Sequence, residues 1–139
     1  MKKTVLFFIM ILLFVSCKTN QTVNGKREGK WKFKEVVNDT IYFQKGRYTN
    51  GIESGTWKAY KNRKLVSKEK YTQKIGYMTN YYPNGKIQSK GTTKIEETGK
   101  YFKWCLSGDW KYYDKNGKLY LTRIYLDGNL ITELTPPTH

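Results

Sequence analysis

Histidine is almost missing from this chain: the single one is His139, the last residue. No Ser-His or Cys-His pair can be built on an ordered element from it, and zinc sites made of His and Cys lack their ligands. Cysteine is nearly absent too, with Cys17 and Cys105 alone. If Cys17 has the separate role argued below, Cys105 is left without a partner and no internal disulfide can staple the domain. Lying between Trp104 and Leu106, Cys105 reads as a small buried hydrophobe; a reactive or partner-linking thiol is the alternative. Acidic residues number 11 against 26 basic ones, and they fall mainly at expected turns: Asp39, Glu96, Glu97, Asp114 and Asp127. Turn chemistry and solubility account for them more simply than paired-carboxylate catalysis does. No Gly-x-Gly-x-x-Gly phosphate cradle occurs, and no helical periodicity outside the first segment. A non-enzymatic protein without cofactor or metal is therefore expected.

What the chain does have is aromatics, with 12 Tyr, 4 Trp and 6 Phe, and 12 glycines against 3 prolines. Broad rings cover the pleated faces of strands well, and a disordered chain would be poor in them. At 139 residues there is room for one domain.

The first segment reads as an export signal. Lys2 and Lys3 precede an unbroken apolar run from Val5 to Val15, and Ser16-Cys17 follows, giving a positive region, an apolar core and a small-residue cleavage site. The run is too short to span a bilayer as a helix. Phe14-Val15-Ser16-Cys17 resembles the lipobox of bacterial lipoproteins, which implies lipidation (palmitate among the acyl groups) at Cys17; plain secretion with Cys17 incidental is the alternative. The expected organisation is a signal peptide over 1–16, a lipidated cysteine and polar tether over 17–24, a repeat domain over 25–133 and a disordered tail over 134–139.

The repeat is clearest in Gly108-Asp109-Trp110-Lys111-Tyr112-Tyr113-Asp114-Lys115-Asn116-Gly117-Lys118-Leu119. Here a strand of strong β-formers runs into Asn-Gly, the dipeptide that suits a two-residue type I′ turn, and an apolar strand returns. Tyr81-Tyr82-Pro83-Asn84-Gly85-Lys86-Ile87 repeats the pattern, Gly55-Thr56-Trp57 through Leu65 repeats it without a turn glycine, and Gly29-Lys30-Trp31-Lys32-Phe33 opens a divergent copy. Aligning Trp31, Trp57, Thr79 and Trp110 gives intervals in the range of roughly 20–50 residues that marks stacked units; an ordinary meander is the alternative. Further turns are expected at Asn38-Asp39, Asn50-Gly51, 94–99 and Asp127-Gly128. The fold class is thus all-β: consecutive antiparallel hairpins in an elongated twisted sheet, a single-layer β-solenoid.

Gly55-x-Trp57-x-x-Tyr60, Tyr81-Tyr82-x-Asn84-Gly85-Lys86 and the Gly108 to Leu119 stretch resemble the MORN-type repeat variant of bacterial proteins labelled YwqK-family antitoxins, over roughly residues 24–131. The resemblance implies a hairpin sheet that binds protein partners or membranes, and it carries an antitoxin label.

The formal net charge of +15 points to an anionic partner or to lysines that merely solvate strand faces and blunt sheet edges. Nucleic acid is disfavoured: Lys100-Tyr101-Phe102-Lys103-Trp104 mimics a stacking platform, yet there are only four arginines and an exported protein rarely meets nucleic acid. The expected binding surface is Trp31, Trp57, Tyr82, Trp104, Trp110 and Tyr113, with inter-hairpin packing as the plainer role for most of them. The function expected is that of an envelope lipoprotein, held by its lipid in the outer membrane facing the periplasm, acting as a scaffold for a protein partner. The alternatives are an antitoxin or immunity protein that masks a toxin, and a binder of anionic lipid or envelope glycan.

Overall fold

The computed structural model describes residues 18–99 and 101–137; the expected signal segment, Cys17 and His139 lie outside them. Ten strands follow one another: β1 (Gln21–Val23), β2 (Lys26–Val37), β3 (Thr40–Thr49), β4 (Ile52–Lys61), β5 (Lys64–Tyr71), β6 (Ile75–Tyr81), β7 (Ile87–Thr98), β8 (Tyr101–Tyr113), β9 (Leu119–Leu126) and β10 (Asn129–Leu134). Each pairs antiparallel with the next, and their order in one open sheet is their order in the chain. The all-β class and the consecutive hairpins are as the sequence predicts. Gln21–Val23, expected in a tether, instead forms the short edge strand β1 against Lys26 to Glu28.

Five connections are two-residue turns with positive φ at both positions: Asn24-Gly25, Asn38-Asp39, Asn50-Gly51, Asn62-Arg63 and Asp127-Gly128, at values from 46° to 83°. This is the type I′ geometry whose twist matches the flanking strands. The two Asn-Gly turns that looked strongest in the sequence are built differently. At Asn116-Gly117 and Asn84-Gly85 only the glycine has positive φ, 93° and 82°. Gly117 N–H donates to Asp114 O and Asp114 N–H to Lys118 O, both at 2.9 Å, which is a three-residue loop with a glycine bulge. The cause is local: the Asp114 carboxylate accepts from Asn116 N–H (2.8 Å) and Lys118 N–H (2.9 Å), and in the other loop Pro83 sets the φ of a type I turn.

Residues 94–98, expected to turn, continue β7 and pair from Lys94↔Cys105 to Thr98↔Tyr101. Ile95 opposite Trp104, and Glu96 opposite Lys103, give that segment cross-strand partners it does not reveal alone. Tyr101 to Leu106 and the Trp110 strand are one element, β8, because Gly108 at φ +67° absorbs a bulge between them.

Side chains alternate between two faces. Trp31, Phe33, Tyr48, Trp57, Glu69 and Trp110 share one face, and the sheet curls toward it: the indole of Trp104 on β8 donates to Glu53 on β4 at 3.1 Å and its ring lies 4.6 Å from that of Tyr71 on β5. Four flat strand spacings would separate β4 from β8 by about 19 Å, beyond the reach of these side chains. Most of the core lies on this inner face, with Cys105, opposite Lys94, buried on the other.

Candidate functional site

Among the expected surface aromatics, Trp57 and Trp110 are buried, at 8% and 3% exposure, and they occupy equivalent places. Gly46 alone faces Gly55-Thr56-Trp57, between the pairs Lys45↔Lys58 and Arg47↔Ser54. Gly91 alone faces Gly108-Asp109-Trp110, between Lys90↔Lys111 and Thr92↔Ser107. In each bulge the indole covers the lone glycine, leaving no room for a Cβ. The indole N–H then donates to the next carbonyl, Trp57 to Arg47 O at 2.9 Å and Trp110 to Thr92 O at 2.8 Å.

The other four aromatics are half-buried and fall into separate groups. Trp31 lies 5.6 Å from Tyr48 and 5.7 Å from Phe33, under the guanidinium of Arg27, which sits 4.9 Å from the Trp31 ring and 5.2 Å from that of Tyr48. Trp104 closes the curl on Glu53 and Tyr71. Tyr82 donates through its hydroxyl to Tyr113 O at 2.8 Å, tying the β6–β7 loop to the end of β8.

The inner face also carries two carboxylates. Glu69 lies in a cavity of about 130 Å³ with Phe33, Tyr48, Trp57 and Tyr71, and accepts from the Tyr71 hydroxyl. Burial pushes the Glu69 carboxyl above its usual range, opposed by hydrogen bonds from Tyr71 and Ser67. Burial, then the Glu69 carboxylate, pushes the Tyr71 phenol far up. Tyr48 is raised by burial and then by Glu53. Cys105 is buried, and burial followed by its bond to Glu96 raises its thiol. These groups satisfy one another, and among the described residues no cluster of three His, Cys, Asp or Glu could hold a metal ion.

The outer face is mainly basic, with Glu96 and Asp109 also on it. Register places Lys32 beside Lys45, Lys45 beside Lys58, Lys58 beside Lys68, Lys68 beside Thr79, Thr79 beside Lys90 and Lys90 beside Lys111. Six lysines and one threonine thus form a single line across seven strands. Five of the lysines are exposed and Lys58 is half-buried. Among the described residues the one ion pair is Arg123–Glu133 at 2.6 Å, so none joins a lysine of the line to a carboxylate. Its first half borders a groove of about 430 Å³ whose wall includes Trp31 and Thr56 beside Lys32, Lys45, Arg47 and Lys58.

Lysine content alone did not reveal this line, because bulges and unequal loops make its intervals along the chain irregular. A signal was present in the dipeptides: Trp-Lys at 31–32, 57–58 and 110–111, and Lys-Gly at 45–46 and 90–91. Each puts a ring, or the glycine beneath a ring, on the inner face and a lysine on the outer one.

Comparison with models of protein families, with curated proteins and with solved structures finds no match for the chain.

Proposed function

We propose that this protein is a non-enzymatic interaction module of the bacterial cell envelope, anchored by lipid at Cys17, whose MORN-like hairpins form a solenoid-like sheet that presents its outer face to an anionic envelope component. The observation that carries the reading is the line of six lysines from Lys32 to Lys111, with no carboxylate in it. Like charges set directly opposite each other are destabilising, so the arrangement costs the fold stability that an anionic partner would return. The anchor and export signal rest on Lys2, Lys3, the apolar run and Ser16-Cys17. Basic charge beside a lipid anchor adds attraction to anionic surfaces, screened within about 8 Å at physiological salt.

The test is a cross-linked pull-down of the full-length chain from its native envelope, beside a Cys17→Ala variant and a variant with the six lysines changed to Gln. The expected result is an anionic component that is recovered with the wild type, released by high salt and lost with the Gln variant. A single protein recovered in fixed ratio and retained at high salt by the Gln variant would support the scaffold or antitoxin reading instead.

A further inference from the structure

Resting on that reading of the outer face, we propose that its ligand is a linear anionic polysaccharide that lies across the strands, along the line Lys32, Lys45, Lys58, Lys68, Thr79, Lys90 and Lys111. Three observations select this class. Six of the charges form a line, one ammonium on each strand from β2 to β8 except β6, at the strand spacing of about 4.8 Å over about 29 Å, and Lys30, Arg47 and Lys70 flank it on the same face. A polymer with one carboxylate on every sugar repeats its charge in the same regular way.

Strand twist is expected to wind the line as well. Adjacent strands of a sheet rotate by about 20–25°, so over six steps the ammonium directions turn through about 120–150°. The sheet curls away from this side as well, as the bond from Trp104 to Glu53 requires. A planar bilayer meets only part of such a convex, turning line; a flexible chain follows all of it.

Finally, the line itself contains no aromatic residue. Two of the rings beside it are capped by its own members, with Lys45 Nζ 5.6 Å from the Tyr60 ring and Lys90 Nζ 5.6 Å from the Tyr113 ring, which leaves Tyr77 as the exposed ring next to Thr79. Single-stranded nucleic acid binding depends on open rings, and arginine, the better phosphate fork, is absent from the line. Thr79 is the one gap, flanked by Lys68 and Lys90.

The experiment uses the full chain and three probes: oligogalacturonates of increasing length, vesicles containing anionic phospholipid, and a single-stranded oligonucleotide of matched charge. Oligogalacturonate affinity is expected to rise with length and level off once the chain covers the line. Changing the six lysines to Gln is expected to weaken it roughly 100-fold, or about 2.8 kcal/mol at about 1.4 kcal/mol per tenfold. Changing Lys18, Lys26, Lys64, Lys74, Lys115 and Lys118, all at turns or ends, is expected to change it less than about twofold, an effect within the range of isolated surface charges. Thr79→Lys, which fills the gap, is expected to strengthen binding about threefold, a gain that misfolding cannot produce. Equal losses from the two sets of six, no gain from Thr79→Lys, or tighter binding of the oligonucleotide would overturn the proposal. Vesicle binding without oligogalacturonate binding would overturn it while leaving the anionic-partner reading intact; binding to none of the probes, together with an unchanged envelope pull-down by the Gln variant, would end both.

Discussion

The indole of Trp57 covers the backbone of Gly46, occupying the space a Cβ would need there, and donates its N–H to the carbonyl of Arg47. Trp110 stands in the same relation to Gly91 and Thr92. Among the described residues no second layer covers the sheet, and these two lids supply much of what burial there is. Gly46→Ala or Gly91→Ala forces the ring off its seat, an overpacking expected to cost about 1–3 kcal/mol. Urea unfolding of each variant checks this, with the midpoint falling and the slope unchanged; an unmoved midpoint would show that the ring has room to shift.

Removing the lid itself should cost more. Trp110→Ala is expected to lose about 3–5 kcal/mol. Trp110→Phe keeps most of the apolar contact and loses the bond to Thr92 O, a loss of about 1–3 kcal/mol where the acceptor stays buried. Thermal unfolding of the two variants should rank them in that order.

The turn at Asn62-Arg63 holds a non-glycine residue at φ +68°, where an L side chain crowds the following carbonyl at a cost of roughly 1–2 kcal/mol. Arg63→Gly is therefore expected to stabilise the protein by about 1 kcal/mol, read as a rise in melting temperature. The same change at Lys64, in the strand, is expected to destabilise it.

Stability should fall at alkaline pH. Burial, then Glu69, raises the Tyr71 phenol, and burial raises that of Tyr48. A group whose folded pKa lies above its unfolded value contributes stability that is whole below the unfolded value, near 10 for tyrosine, and is lost as pH rises past it. Glu69 has the same sign at lower pH: its ionisation disfavours the folded state, so Glu69→Gln should gain on the wild type as pH rises through the carboxylate range. Asp114 has the opposite sign. Backbone bonds from Lys118, Asn116 and Gly117 hold its carboxyl low, so its contribution is present above the usual carboxylate range and lost as pH falls through its lowered value. Unfolding curves for Glu69→Gln and Asp114→Asn at pH 3, 5 and 8 should diverge from the wild type in those opposite directions.

The lysine line should carry a stability cost. Lys45→Gln and Lys58→Gln each remove like-charge contacts on both sides and are expected to stabilise the unliganded protein by about 0.2–1 kcal/mol at low salt. The gain should shrink as salt screens the contacts. A loss of stability at low salt would mean that these side chains serve packing and not the line.

The strands from β2 on and four of the five tight turns were legible in the sequence because each depends on near neighbours, such as Asn-Gly or Asn-Asp between two alternating runs; β1 and the Asn24-Gly25 turn, read as tether, were not, because β1 has only three residues to signal it. What was not legible depends on register. Asn116-Gly117 looked like a type I′ turn until the Asp114 carboxylate was seen to hold the loop. Residues 94–98 looked like a turn because their partners, Tyr101 to Cys105, declare themselves only once paired. The six lysines are scattered along the chain and become a line only after the bulges at Gly46 and Gly91 have set which residue faces which. The aromatics were readable as a group, but that Trp57 and Trp110 lie under cover while Tyr101 and Phe102 stand exposed at 75% and 52% follows from the curl.

The most direct measurement of the central claim is amine-reactive footprinting of the full-length protein in its native envelope, with mass spectrometry at each lysine. Lys32, Lys45, Lys58, Lys68, Lys90 and Lys111 are expected to be protected together in the envelope and to become reactive together in high salt, while Lys26, Lys64 and Lys115 stay reactive throughout. Reactivity of the six that is the same in the envelope as in the isolated protein, or protection confined to the turns, would contradict it.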